Sequence, residues 1–188
     1  ELQKGKLRSI YFVVGEDAFK LDFYAEKALK ILFPEGQPVM REVIYGDELD
    51  PTSLIDSART LSLWDPHKFI LVRQAERINA KQWESLMALL ENPPERCTVF
   101  FQSLKVDGRM KFFQALAKAG EDCVQVKLEP SSGGEWNRWL QAFLKDAGKD
   151  LADEARPLLQ EWTGGSLTEL KHLLNRAALF AGNLPEIG

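Results

Sequence analysis

The sequence predicts an α/β protein: a largely parallel sheet flanked by helices, followed by a small three-helix segment. Three observations carry that expectation. Five short runs rich in Val, Ile and Phe recur along the first part of the chain. Segments of helical periodicity separate them, as the crossovers between parallel strands require. After Glu129 the strand-like runs stop, at a break made of Pro130, Ser131, Ser132, Gly133 and Gly134.

The strands are expected at Ile10–Val14, Glu42–Tyr45, Phe69–Val72, Thr98–Phe101 and Val124–Val126. Between the second and third, Asp50 and Pro51 open a helix whose stripe is Leu54, Ile55, Ala58 and Leu61. Trp83, Leu86, Met87 and Leu90 share one helical face, and Phe112, Leu116 and Ala119 share another. Beyond the break, Trp136, Trp139, Leu140, Phe143 and Leu144 form a wide stripe, Leu158, Leu159 and Trp162 a second, and Leu170, Leu173, Leu174, Ala177 and Ala181 a third. Pro157 would remove a hydrogen bond from a helix interior, so the middle helix should begin close to Asp153 and stop at Gly164 and Gly165. Asn183–Gly188 is expected to fray. The domain boundary falls at the break, giving an α/β domain over 1–129 and a helical domain over 130–188.

With 188 residues, 45% hydrophobic and 28% charged, the chain has the composition of a soluble globular protein of one ordinary or two small domains. It holds no run of about 20 apolar residues. The start, with Glu1, Lys4, Lys6 and Arg8, leads into a strand rather than a signal core, so a cytoplasmic, membrane-free protein is expected. The net charge of -4 argues against strong nonspecific DNA affinity. Cys97 and Cys123 belong to no CxxC pair and read as buried strand thiols. His67 and His172 are too few for a histidine metal centre and read as surface residues. Glu48–Asp50 reads as a solvated turn.

An α/β layout invites a nucleotide-binding reading, and the first strand–loop–helix fails it. Laying GxxxxGK[ST] on Gly15 puts Lys20 at the second glycine, Leu21 at the phosphate-binding lysine and Asp22 at the magnesium-binding hydroxyl. Glu16 and Asp17 add negative charge where phosphates would sit. After Phe69–Val72, where a hydrolase of this layout carries acidic residues for magnesium, stand Arg73 and Gln74. No catalytic residues, metal ligands or cofactor are therefore expected.

One feature core packing does not explain is Ser62, Leu63 and Trp64, ahead of the stop Asp65-Pro66. At about 100° per residue, a continued helix would turn Leu63 and Trp64 well away from the stripe that ends at Leu61. An adjacent leucine and tryptophan at a helix end form an apolar projection suited to a partner's pocket. The alternative is a chain that turns at Ser62 and tucks Trp64 under the sheet edge.

These residues resemble a family, the delta subunit of the bacterial DNA polymerase III clamp loader. The resemblance lies in Gly15-Glu16-Asp17-Ala18-Phe19, Gly46-Asp47-Glu48-Leu49-Asp50, Leu61-Ser62-Leu63-Trp64, Leu71-Val72-Arg73-Gln74-Ala75-Glu76, Leu90-Glu91-Asn92-Pro93-Pro94, Trp139-Leu140 and Thr163-Gly164-Gly165-Ser166-Leu167. It implies an AAA+-like α/β domain with a helical lid, degenerate at the nucleotide site. Thr168 stands where an active AAA+ lid usually carries arginine. It also implies that Ser62, Leu63 and Trp64 are the clamp-binding element, with Trp64 replacing the family's common phenylalanine. The implied role is a non-catalytic subunit of the polymerase III holoenzyme, a DNA-directed DNA polymerase. That subunit binds and opens the sliding clamp for loading onto primed DNA during replication, without ATP hydrolysis of its own. The implied partners are the sliding clamp (beta subunit), the delta prime and gamma/tau loader subunits and, weakly, primed DNA. The family's C-terminal collar domain has no counterpart in the sequence.

Two other readings stay open at this level. One is a divergent nucleotide-binding AAA+ ATPase. The other is a DNA-binding module using Lys105, Arg109, Lys111 and Lys118, charges that an ordinary solvated helix face also explains.

Overall fold

The structure is a computed structural model and describes residues 8–32, 40–60 and 67–188. Its contacts gather the chain into two compact units: residues up to Glu16 with Leu21–Leu128, and Asp17–Lys20 with Glu129–Gly188.

The first unit is built on five parallel strands, β1 (Ile10–Val14), β2 (Met40–Tyr45), β3 (Lys68–Arg73), β4 (Cys97–Ser103) and β5 (Cys123–Lys127), in the order β2-β3-β4-β1-β5. All five runs expected from the sequence are strands. β1 has the expected bounds, β2, β3 and β5 are each longer by two residues, and β4 is longer by three because the flanking Cys97, Gln102 and Ser103 pair as well as their apolar neighbours do. Every residue of β1, an interior strand between β4 and β5, is buried, and its side chains alternate between two cores. Tyr11 and Val13 face helix α1 (Ala18–Leu32) through Leu21, Ala25 and Ala28. Ile10, Phe12 and Val14 face α2 (Pro51–Arg59), α3 (Ala80–Ser85), α4 (Met87–Glu91) and α5 (Lys111–Leu116). There Trp83 lies 4.5 Å from Phe112 and Phe12 lies 4.8 Å from Phe113, ring to ring. Truncating one such aromatic would remove about 3–5 kcal/mol of stability.

Helix α2 begins as expected, with Asp50 accepting from the Ser53 amide and Pro51 in the first turn. Leu54 and Ala58 are buried. The continuous helix suggested by Trp83–Leu90 is instead two short ones meeting at Leu86, and Leu89 replaces Leu90 as the buried residue of the second.

The second unit packs α6 (Gly133–Ala147), α7 (Ala155–Thr163) and α8 (Leu167–Ala181) around Trp136, Leu140, Leu170 and Leu174. Phe19, from the first turn of α1, belongs here, edge-on to Trp139 at 5.2 Å and Phe143 at 5.1 Å. Pro157 sits in the first turn of α7, where its missing N–H is harmless, and Gly164 ends that helix in the left-handed region. Two expectations fail. Leu158 and Trp162 do not join the core: Trp162 is 66% exposed, and only Leu159 of that stripe is buried. The tail is not frayed, because Glu186–Ile187 (β7) pairs in parallel with Asp150–Leu151 (β6) and Ile187 is buried. Lys149 Nζ ties the same tail down at the carbonyls of Gly182 and Leu184. Among the described residues no helix is long and apolar enough to cross a membrane.

Candidate functional site

At the first turn of α1 the amides of a phosphate-binding loop would face an anion. Here they face the protein's own groups. Asp17 precedes the helix and accepts from the Lys20 amide at 3.2 Å. The same carboxylate accepts from the amides of Leu167 and Thr168 and from Thr168 Oγ1, the latter at 2.9 Å. Thr168 Oγ1 in turn accepts from the Phe19 amide at 3.0 Å. One buried carboxylate thus supplies the negative charge that the N termini of both α1 and α8 favour. Lys20 is buried with it, and its ammonium donates to Glu129 O at 2.8 Å and Ser131 Oγ at 3.1 Å and pairs with Glu135 at 3.1 Å.

At the C-terminal edge of the sheet, Arg73 and Asp22 form an ion pair at 3.0 Å. Gln102, buried on β4, donates to the same Asp22 oxygen at 3.2 Å. The turn that follows β3 is tight. Gln74 is left-handed at φ 53°, and a Cβ on Gly46 would lie 2.3 Å from the Gln74 carbonyl oxygen, so glycine is required there. A cleft of about 480 Å³ opens beyond β3 and β4, with Trp83, Val106, Met110, Phe113, Glu76 and Lys105 among its lining residues. Glu76 is already engaged by Ser103 Oγ and the Leu104 amide.

Of the basic residues considered for DNA, Arg109 is held by Asp107 at 2.8 Å and Lys111 lies 3.8 Å from Glu84. The Arg109 hydrogen bonds pull the Asp107 carboxyl down to about 2. Cys97 and Cys123 are buried as expected, and burial pushes their thiols up to about 12 and about 11. His67 departs from expectation. It is half-buried and pairs through Nε2 with Thr98 Oγ1 at 3.1 Å, and burial lowers its pKa. Because Thr98 Oγ1 donates its one proton to the Arg8 carbonyl, Nε2 is the protonated nitrogen.

Ser62, Leu63 and Trp64 lie outside the described residues. Their two flanks are described. On one side α2 ends at Arg59, whose guanidinium donates to Ala88 O at 2.9 Å. On the other, β3 starts at Lys68, whose ammonium lies 3.0 Å from Glu42 Oε2 and also reaches Ser57. Sequence reading missed this cluster, as it missed the Asp17 and Lys20 networks.

The model of the DNA polymerase III delta subunit family matches residues 11–127, more than half of the chain. The chain belongs to that family. The solved structure of the Bacillus subtilis DNA clamp loader delta protein (YqeN) is similar at 16% identity and a TM-score of 0.63, covering 99% of this chain and 57% of that one. The Thermotoga maritima RuvB Holliday junction branch migration motor is similar at 13% identity and a TM-score of 0.72, covering 100% and 60%. A DNA polymerase III gamma subunit-related protein of Thermotoga maritima has 13% identity and a TM-score of 0.57. At such identities the likeness is one of fold, and that fold is AAA+-like. The chain spans 57% and 60% of the first two of these solved chains. No curated protein sequence matches it.

AAA+ folds imply magnesium and a nucleotide, and the residues of this delta-family chain do not fit either. A carboxylate stands where phosphate oxygens would need donors, and a guanidinium stands where the metal would need an oxygen ligand.

Proposed function

We propose that the chain is the part of a clamp-loader delta subunit that grips and opens the DNA polymerase sliding clamp, with Leu63 and Trp64 as the gripping pair and Ser62 leading into them. The observation that carries this reading is the family match over residues 11–127, which spans that pair. Leu63 and Trp64 enter the hydrophobic cleft of one clamp protomer, while the adjoining end of α2 bears on the nearby clamp interface. Opening then requires tighter binding to the open ring than to the closed one, since equal affinity for both shifts nothing. The energy comes from that difference and not from nucleotide. The filled N terminus of α1 and the Arg73–Asp22 pair support a subunit that neither binds nor hydrolyses ATP. Its partners in this reading are the clamp, the delta prime and gamma/tau subunits and, weakly, primed DNA, in the cytoplasm.

The experiment loads a labelled clamp on closed circular DNA and adds this chain without nucleotide. Release of the clamp from the circle supports the reading. Release that depends on added ATP, or no release at concentrations where the chain binds the clamp, contradicts it.

A further inference from the structure

Ser57 and Lys68, eleven positions apart in the chain, meet at the two ends of the 61–66 segment. Lys68 opens β3, yet its side chain is only 13% exposed, low for a lysine. Its ammonium has three N–H donors, and all three have an acceptor: Glu42 Oε2 at 3.0 Å, the Ser57 carbonyl at 3.2 Å, and Ser57 Oγ. Ser57 Oγ passes its own proton to Glu42 Oε2 at 2.6 Å, so the triangle closes on itself. Burial opposes ionisation of Glu42, but the bonds from Ser57 and Lys68 and the lysine charge outweigh it and hold the carboxyl below its ordinary value.

The Ser57 carbonyl lies in the last turn of α2, where carbonyls lack an intrahelical partner and favour a cation. Thr60 closes another, its amide and hydroxyl both donating to Asp56 O. Chain exit and chain re-entry are therefore fastened to each other and to the edge strand β2. An apolar residue at 68 could pack at the start of a strand equally well. Three satisfied polar groups instead fix a geometry.

We propose that Glu42, Ser57 and Lys68 are positioning residues for clamp binding: a polar clasp that holds both ends of the segment carrying Leu63 and Trp64. This rests on the reading of that pair given above. Tying Ser57 to Lys68 limits how far the two described flanks of the pair can separate, and apparent affinity falls in proportion to the binding-competent fraction when that tie is released.

The test measures affinity of this chain for the cognate clamp, with cooperative urea unfolding recorded for every variant. Lys68→Met and Ser57→Ala should each weaken clamp binding roughly ten-fold, with faster hydrogen exchange of the Thr60 and Lys68 amides, which are bonded to Asp56 O and Arg96 O in the wild type. Lys68→Arg, which keeps a cation for Glu42 and the Ser57 carbonyl, should restore most of the loss. Folded Lys68→Met and Ser57→Ala variants that bind as the wild type does would overturn the clasp while leaving the Leu63 and Trp64 reading intact. If the wild type binds equally well after Leu63→Ala and Trp64→Ala together, that reading falls, and the clasp with it.

Discussion

The Arg73 guanidinium lies 3.0 Å from the Asp22 carboxylate, so a cation and an anion occupy two positions that a nucleotide hydrolase of this layout gives to a metal-binding carboxylate and a metal-binding hydroxyl. The side chains are 31% and 48% exposed, and solvent screens a pair so placed. A double-mutant cycle with Arg73→Ala and Asp22→Ala should return a coupling of about 1 kcal/mol or less. Magnesium and ATP together should leave the melting temperature of the wild type unchanged. A rise with ATP concentration would mean that nucleotide binds the native chain.

Asp17 is placed differently. It is buried, and its carboxylate accepts from three amides and a hydroxyl. Asp17→Ala should lower stability by about 2–4 kcal/mol, a lost cap plus lost charge-assisted hydrogen bonds. Asp17→Asn should lose less, keeping one acceptor oxygen. Urea denaturation curves at neutral pH measure both.

His67 should make the fold acid-sensitive. Burial holds its pKa below the ordinary 6.5, so the unfolded chain takes up a proton more readily than the folded one. The contribution is complete above 6.5 and is lost as pH falls through the lower folded value. Unfolding free energies measured between about pH 7 and 5 should fall more steeply for the wild type than for His67→Gln.

The two thiols should be inert in the native protein. Pushed up to about 12 and about 11, Cys97 and Cys123 present almost no thiolate near pH 8. A disulfide reagent at that pH should label neither cysteine until denaturant is added, and then both.

Much of this was legible in the sequence, because the sheet rests on local signals. Each strand carries its own run of Val, Ile and Phe, and Asp50-Pro51 announces a helix start by itself. The losses at Leu21, Asp22, Arg73 and Gln74 could be read one position at a time. What replaced them could not. Asp17 and Thr168 are far apart in the chain, as are Lys20 and Ser131, and a carboxylate that caps two helices looks in sequence like one more acidic loop residue. Lys68 likewise reads as an ordinary charge at a strand start until Ser57 and Glu42 are seen around it. Trp162 misled for the opposite reason: helical periodicity marks which residues share a face but not whether anything covers that face.

The central claim is that Leu63 and Trp64 hold the clamp, and the most direct measurement is a calorimetric titration of the cognate sliding clamp into this chain. Each anchor of this kind contributes about 2–4 kcal/mol. Replacing both by alanine should therefore weaken binding at least a hundred-fold, roughly, while the unfolding curve stays cooperative. A folded double variant that titrates like the wild type would contradict the account.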